Sequence, residues 1–144
     1  GVSESADMQK GNAAYDRGDY ATALREWKPL AKQGDAVAQY NLGMMYYKGQ
    51  GVPQNDKTAL TWFRLAAEQG KANAQYSLGL MYGSGTGVTQ DWVYAHMWGN
   101  IAAKNGNKLG ANLRNAVAKQ MTPAQIAEAK KLFSECVRRK YKGC

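Results

Sequence analysis

One histidine, two cysteines and eleven carboxylates make a thin inventory for acid–base, thiol or metal chemistry in this 144-residue sequence. His96 stands alone in the aromatic-rich segment Trp92-Val93-Tyr94-Ala95-His96-Met97-Trp98, so no histidine cluster exists for zinc. It reads as a helix-surface or half-buried, hydrogen-bonded residue. A Cys–His nucleophile would need Cys136 or Cys144 carried to His96 across the fold, and a disulfide between the two cysteines would abolish it. Glu4, Asp7, Asp16, Asp19, Glu26, Asp35, Asp56, Glu68, Asp91, Glu128 and Glu135 show no recurring spacing that implies shared acid–base work. A glycan-cleaving pair assembled from distant segments stays open as a minor alternative. No catalytic residue, metal ligand or cofactor site is expected, and Asp19 and Asp56 are read as caps at helix starts.

The two cysteines lie eight positions apart at the end of the chain. On one straight helix that spacing gives about 12 Å of rise, too far for a disulfide. If Gly143 lets the chain turn back, they close a small loop that staples the terminal helix, which favours a periplasmic or secreted location. Otherwise they are two unrelated thiols, compatible with the cytoplasm. The chain starts Gly-Val-Ser without an initiator Met, which suits a processed precursor or a trimmed chain. No apolar run approaches the ~18 residues of a membrane span.

The formal net charge of +8 is concentrated at one end. From Gly1 to Ala103, nine Lys or Arg cancel nine Asp or Glu. From Lys104 to Cys144, ten basic residues face only Glu128 and Glu135. Such an end can attract an acidic protein, nucleic acid or an anionic membrane, or simply form a solvated helix face. No zinc finger, recognition helix or aromatic-basic strand pattern supports nucleic-acid binding.

These residues must be positioned by a repeat. At an offset of 36, Ala38-Gln39-Tyr40-Asn41-Leu42-Gly43-Met44-Met45-Tyr46 returns as Ala74-Gln75-Tyr76-Ser77-Leu78-Gly79-Leu80-Met81-Tyr82. The following halves align without a gap, including Ala59 with Ala95, Trp62 with Trp98, and Gly70 with Gly106. A degenerate copy lies upstream, with Trp27 where Phe63 stands and an inner loop four residues shorter. This period predicts two helices per unit, each unit stacking on its neighbours to bury an apolar face. The first helix runs about 71–82; second helices run about 56–69 and 91–105. Gly79 inside a first helix implies a closely approaching partner backbone. Gly70 and Gly106 sit where left-handed caps end the second helices.

The glycine-rich loops 47–53 and 83–89 lack the Gly-Lys-Ser/Thr ending of a phosphate loop and read as turns with unusual backbone angles. After Gly106 a different ending follows. Residues 107–119 predict a helix with Leu109, Leu113, Ala116 and Val117 inward. Thr122-Pro123 then starts a long amphipathic helix. The fold class is all-α: about eight helices in antiparallel pairs, closed by a C-terminal capping helix. One repeat domain, 1–144, divides into a degenerate repeat 6–34, repeats 35–70 and 71–106, and a helical cap 107–144.

Asn41-Leu42-Gly43, Met45-Tyr46, Gly49, Gly51-Val52, Asp56, Ala59, Trp62, Ala66-Ala67 and Gln69-Gly70 resemble the Sel1-like repeat, a relative of the tetratricopeptide repeat. The resemblance implies helix-turn-helix units in a right-handed superhelical solenoid, acting as an adaptor or assembly scaffold for protein partners. Many bacterial members are exported. Some cysteine-rich relatives have attributed enzymatic activity, which leaves a cell-envelope hydrolase of peptidoglycan or a β-lactam as the alternative. Having no cysteine inside its repeats, this chain departs from that branch.

Trp62, Trp98, Tyr46 and Tyr82 recur and read as core. Tyr40, Tyr47, Tyr76, Trp92 and Tyr94 are less constrained, and some are expected to line the superhelical groove as contact anchors. Lys131, Arg138 and Arg139 are the candidate contacts of the basic end. The expected partner is a protein or peptide, acidic if the basic end takes part. Oligomeric state is left open.

Overall fold

Helix starts follow the polar residues able to cap them. In a computed structural model that describes residues 6–144, Asp7, Asp19, Asp35, Asn55, Asp91, Asn107 and Thr122 each accept backbone N–H groups of the following turn. The helices they open are α1 (Met8–Asp16), α2 (Tyr20–Lys32), α3 (Ala36–Lys48), α4 (Asp56–Glu68), α6 (Trp92–Lys104), α7 (Lys108–Ala118) and α8 (Pro123–Arg138); α5 (Ala72–Ser84) starts without a side-chain cap. Asn55, not Asp56, caps α4; Asp56 falls inside the first turn. Thr122 and Gln125 complete a reciprocal capping box before Pro123. No strand occurs among the described residues.

Successive helices pack on one another from α1 to α7, giving a helical solenoid, and α8 folds back onto α6. First helices are α1, α3, α5 and α7; second helices are α2, α4 and α6. The loop after each repeated first helix leaves through a left-handed glycine, Gly49 (φ +69°) or Gly85 (φ +70°). Gly87 then lies so close to the start of α4 that a Cβ there would be 2.7 Å from the Asp56 carbonyl oxygen. These loops are turns wedged under the preceding unit, as their repetition implies.

Alanines keep the helices close. Ala14, Ala23, Ala31, Ala38, Leu42 and Met45 bury with Trp27 in one cluster. Ala59, Phe63, Ala66, Ala67, Ala74, Leu78, Met81 and Trp98 form the larger one. Trp98 and Tyr82 are buried core, whereas Trp62 and Tyr46 are only half-buried against these clusters.

Polar register between units comes from two buried glutamines. Gln39 donates to the Ala31 carbonyl (3.1 Å) and its amide oxygen accepts from Gln69 (2.8 Å). One period on, Gln75 donates to the Ala67 carbonyl (3.0 Å) and accepts from Asn105 (2.9 Å). Each glutamine therefore ties the end of the second helix before it to the residue that ends its own unit. Buried polar groups satisfied in this way specify one stacking geometry.

The first-helix glycines admit whatever the second helix presents. Gly11 faces the Trp27 indole, and Gly43 faces the Phe63 ring, 2.6 Å from where a Cβ would stand. Only Gly79 meets the expected backbone: a Cβ there would lie 3.2 Å from the Gly99 nitrogen and 2.7 Å from a Leu113 methyl. Gly99 occupies the repeat position of Trp27 and Phe63, so unit three has no aromatic to insert. α7 moves into that space, with Gly110 against Gly99, and Leu113 fills the place over Gly79. This rotates α7 relative to expectation. Gly110, Leu113 and Val117 turn inward, while Ala116 and Leu109 (53% exposed) turn out.

The chain end closes the array. Cys136 and Cys144 form a disulfide, with Cα atoms 5.6 Å apart. The turn back uses Lys140 (φ 52°) and Tyr141 (φ 70°) as well as Gly143 (φ 68°). Tyr141 thereby donates its hydroxyl to Asn105 (3.1 Å), the last member of the Gln75 ladder, and its ring covers Gly70. Phe133 and Val137 belong to α8, which packs on α6 and not on the helix that precedes it in the chain.

Replacing Gln75 with alanine removes two hydrogen bonds and leaves a hole in a fully buried site. Urea denaturation is expected to show a loss of roughly 2–4 kcal/mol. Closing the 136–144 loop constrains the unfolded chain by roughly 2–3 kcal/mol in the loop-entropy picture. Reduction, or a Cys136→Ser/Cys144→Ser variant, should therefore lower Tm, and the Tyr141 contact with Asn105 should loosen in hydrogen exchange.

Candidate interaction surface

The layer of first helices presents equivalent side chains side by side. Counting by the repeat, Tyr40 of α3 neighbours Tyr76 of α5, and Met44 of α3 neighbours Leu80 of α5. Between α3 and α5 lies a mainly apolar depression of about 200 Å³ lined by Tyr40, Met44, Tyr47, Phe63, Tyr76 and Leu80. Between α1 and α3 lies a more polar one of about 420 Å³, lined by Asn12, Tyr15, Asp16, Trp27, Asn41 and Lys48 together with the same Tyr40 and Met44. Tyr40 and Met44 line both, so the two depressions adjoin on either side of α3.

Three of the five aromatic candidates, Tyr40, Tyr47 and Tyr76, thus come together, and Tyr47 is 46% exposed. Tyr40 rests on Phe63 with ring centroids 5.7 Å apart. Burial raises the pKa of its phenol against the opposing effect of Ser77, so the groove holds a neutral donor. Met44, Leu80 and Asn41 also line this groove; their presence at equivalent or neighbouring repeat positions was the signal in the sequence that could have named them.

Trp92 and Tyr94 lie elsewhere. Trp92 packs near Gly83 between α5 and α6, and Tyr94 stacks on Tyr82 at 5.3 Å while facing the disulfide. Repeat position explains the difference: both start a second helix. Lys131 and Arg138, in α8, and Arg139, just after it, are exposed. Because α8 is held on α6, they belong to the second-helix layer and not to the groove. Arg139 also donates to the Gly143 carbonyl (3.4 Å).

His96 is 3% exposed, more buried than expected, and its Nδ1 has no hydrogen-bond partner among the described residues. It takes the repeat position of Leu24 and Leu60. Burial lowers its pKa, and Arg114 of α7 and Lys130 of α8 lower it further. No hydrogen bond between His96 and a carboxylate occurs among the described residues, so the hydrolase alternative finds no histidine–acid pair here. No group of three or more His, Cys, Asp or Glu among the described residues is placed to hold a metal ion. Glu4 lies outside the described residues. No helix of the described residues is long and apolar enough to cross a membrane.

A stacked array of helix pairs with a groove across its first helices defines a helical-repeat protein of the tetratricopeptide-like class. Residues 36–71 and 72–107 each match the family model of the Sel1 repeat, and the chain belongs to the Sel1-repeat family. Over 35 residues it is 51% identical to a sel1-like repeat-containing protein of Acanthamoeba polyphaga mimivirus, a match covering 24% of this chain and 6% of that protein. Among solved structures it is similar to a protective antigen of uropathogenic Escherichia coli strains displaying an SLR fold. There the TM-score is 0.85 and the identity 31%, over 91% of this chain and 30% of that one. A Sel1 repeat protein from Oxalobacter formigenes matches with TM-score 0.73 and 32% identity, over 77% of this chain and 46% of that one. The chain thus spans less than half the length of each of these relatives. Repeats of this family generally mediate protein–protein interaction.

The depressed His96 pKa has a signed consequence. The unfolded chain binds this proton more tightly than the folded one, so its contribution to stability is complete above the unfolded pKa of about 6.5 and is lost as pH falls through the folded value. Thermal melts between pH 7.5 and 5 should show a drop in Tm that a His96→Leu variant, matching Leu24 and Leu60, largely lacks. Equal pH dependence in both proteins would contradict it.

Proposed function

We propose that this chain is a noncatalytic interaction or assembly module that seats a partner peptide or domain in the groove of its first helices. The observation that carries this reading is the pair of adjoining depressions along α1, α3 and α5, in one of which Tyr40, Tyr47 and Tyr76 stand beside Met44 and Leu80. Aromatic side chains on a rigid scaffold provide large contact area at low entropic cost, the profile of binding anchors.

The groove's charged lining is mixed, Asp16 of α1 with Lys48 of α3, so the case for an acidic partner rests on the basic end. That end, with Lys131, Arg138 and Arg139, adds long-range attraction from the neighbouring layer. Its disulfide supports a periplasmic or secreted setting, where such a bond persists.

A pulldown with crosslinking from the native cell tests the proposal against a Tyr40→Ala/Tyr47→Ala/Tyr76→Ala variant whose helicity is checked by circular dichroism. Each anchor truncated should weaken the captured complex by about 2 kcal/mol. Raised salt should slow association more than it speeds dissociation. Unchanged capture by the folded triple variant would remove the groove from consideration. Thiol labelling of protein from intact cells, before and after reduction, reads the compartment: cysteines labelled without reduction would place the chain in a reducing one.

A further inference from the structure

α8 shows what the outer face of a second helix can accept. On α6 the relevant positions are Val93, His96, Met97, Asn100, Ile101 and Lys104, of which His96, Met97 and Ile101 are buried. Met97 shares a crevice with Leu132 and Cys136 of α8, which packs on α6. Two periods earlier, the same positions on α2 are Ala21, Leu24, Arg25, Lys28, Pro29 and Lys32, and there they line an open surface depression of about 420 Å³. No helix of the described residues covers it. Leu24, Pro29 and Ala21 give it an apolar floor, and three cations stand around them.

Among the described residues the ion pair is Arg17 with Asp19, and none joins Arg25, Lys28 or Lys32 to a carboxylate. Glu26, on the same helix, accepts the Asp7 N–H (2.9 Å), tying it to the start of α1. We propose that this face of α2 is a second docking surface, distinct from the groove. Its occupant is an amphipathic helix of a partner protein, seated on Leu24 and Pro29 as α8 is seated on α6, with carboxylates toward Arg25, Lys28 and Lys32. Charge argues against α8 of a second copy as the occupant, since Lys130, Lys131 and Arg138 would bring cations to cations.

A matched pair of probes tests this on the full oxidised chain: a peptide of residues 122–138 with its natural sequence, and the same peptide carrying Lys130→Glu, Lys131→Glu and Arg138→Glu. Fluorescence anisotropy should show the acidic peptide binding at least about tenfold more tightly than the natural one. Backbone amide NMR should place its shifts in α2, with those of Tyr40 and Tyr76 unmoved. An Arg25→Glu/Lys28→Glu variant, altered only at exposed positions, should reverse the preference between peptides while keeping its helicity. The proposal is overturned by equal binding of both peptides, by shifts in the groove instead of α2, by an affinity indifferent to the charge reversal, or by no binding of the acidic peptide. Concentration-dependent association of the chain alone, lost in the charge-reversed variant, would assign the face to a second copy and overturn it too.

Discussion

A repeat unit of two helices cannot bury its apolar face alone, so everything else depends on how one unit is held in register with the next. Here a buried amide does this at the junctions in front of α3 and α5. Gln39 and Gln75 sit in the first helix of a unit, donate to the carbonyl of Ala31 or Ala67 behind them, and accept from Gln69 or Asn105 ahead. Apolar packing between alanine-rich helices is tolerant of small slips, because alanine offers little shape to lock. A hydrogen bond of 2.8–3.1 Å made by a buried amide is less tolerant, because a shift of an ångström leaves that amide unpaired. The amide ladder therefore converts a sliding contact into a fixed step.

The groove inherits that step. Tyr40 and Tyr76 come from different units, yet they line one depression because the distance between their helices is set by the ladder and by the ring of Phe63 under Gly43. Substituting the glycine or the amide would therefore disturb the groove without touching any residue that lines it. The opposite layer is used differently: α8 consumes the outer face of α6, while that of α2 stays open and cationic.

Much of the array is legible in the sequence because periodicity reports packing. The repeat, the helix pairs, the loop glycines and the Thr122-Pro123 start all follow from residues that have one physical use wherever they appear. The groove aromatics were half legible: Tyr40, Tyr47 and Tyr76 share a face, but Trp92 and Tyr94 begin a second helix and pack half-buried away from it. What resisted reading was anything decided by the absence of a side chain. Gly99 in place of Phe63 rotates α7, exposes Leu109 and hands Leu113 the role of the missing ring. His96 was misplaced for a related reason, since only the fold shows that α7 and α8 cover a position that is more open in the earlier units. The turn at Lys140 and Tyr141 was invisible too, because left-handed backbone in non-glycine residues has no composition signal.

Gly99 also carries a rule about growth. Copying the block that contains Phe63 inserts a rung whose ring fills its own glycine and whose glutamine meets a matching neighbour, so such an array lengthens from the middle. Copying the block that contains Gly99 creates an unfilled notch that only a helix with the glycine and leucine of α7 can close. Gly99 thus marks where the aromatic rung of the earlier units gives way to a helix that fills its place.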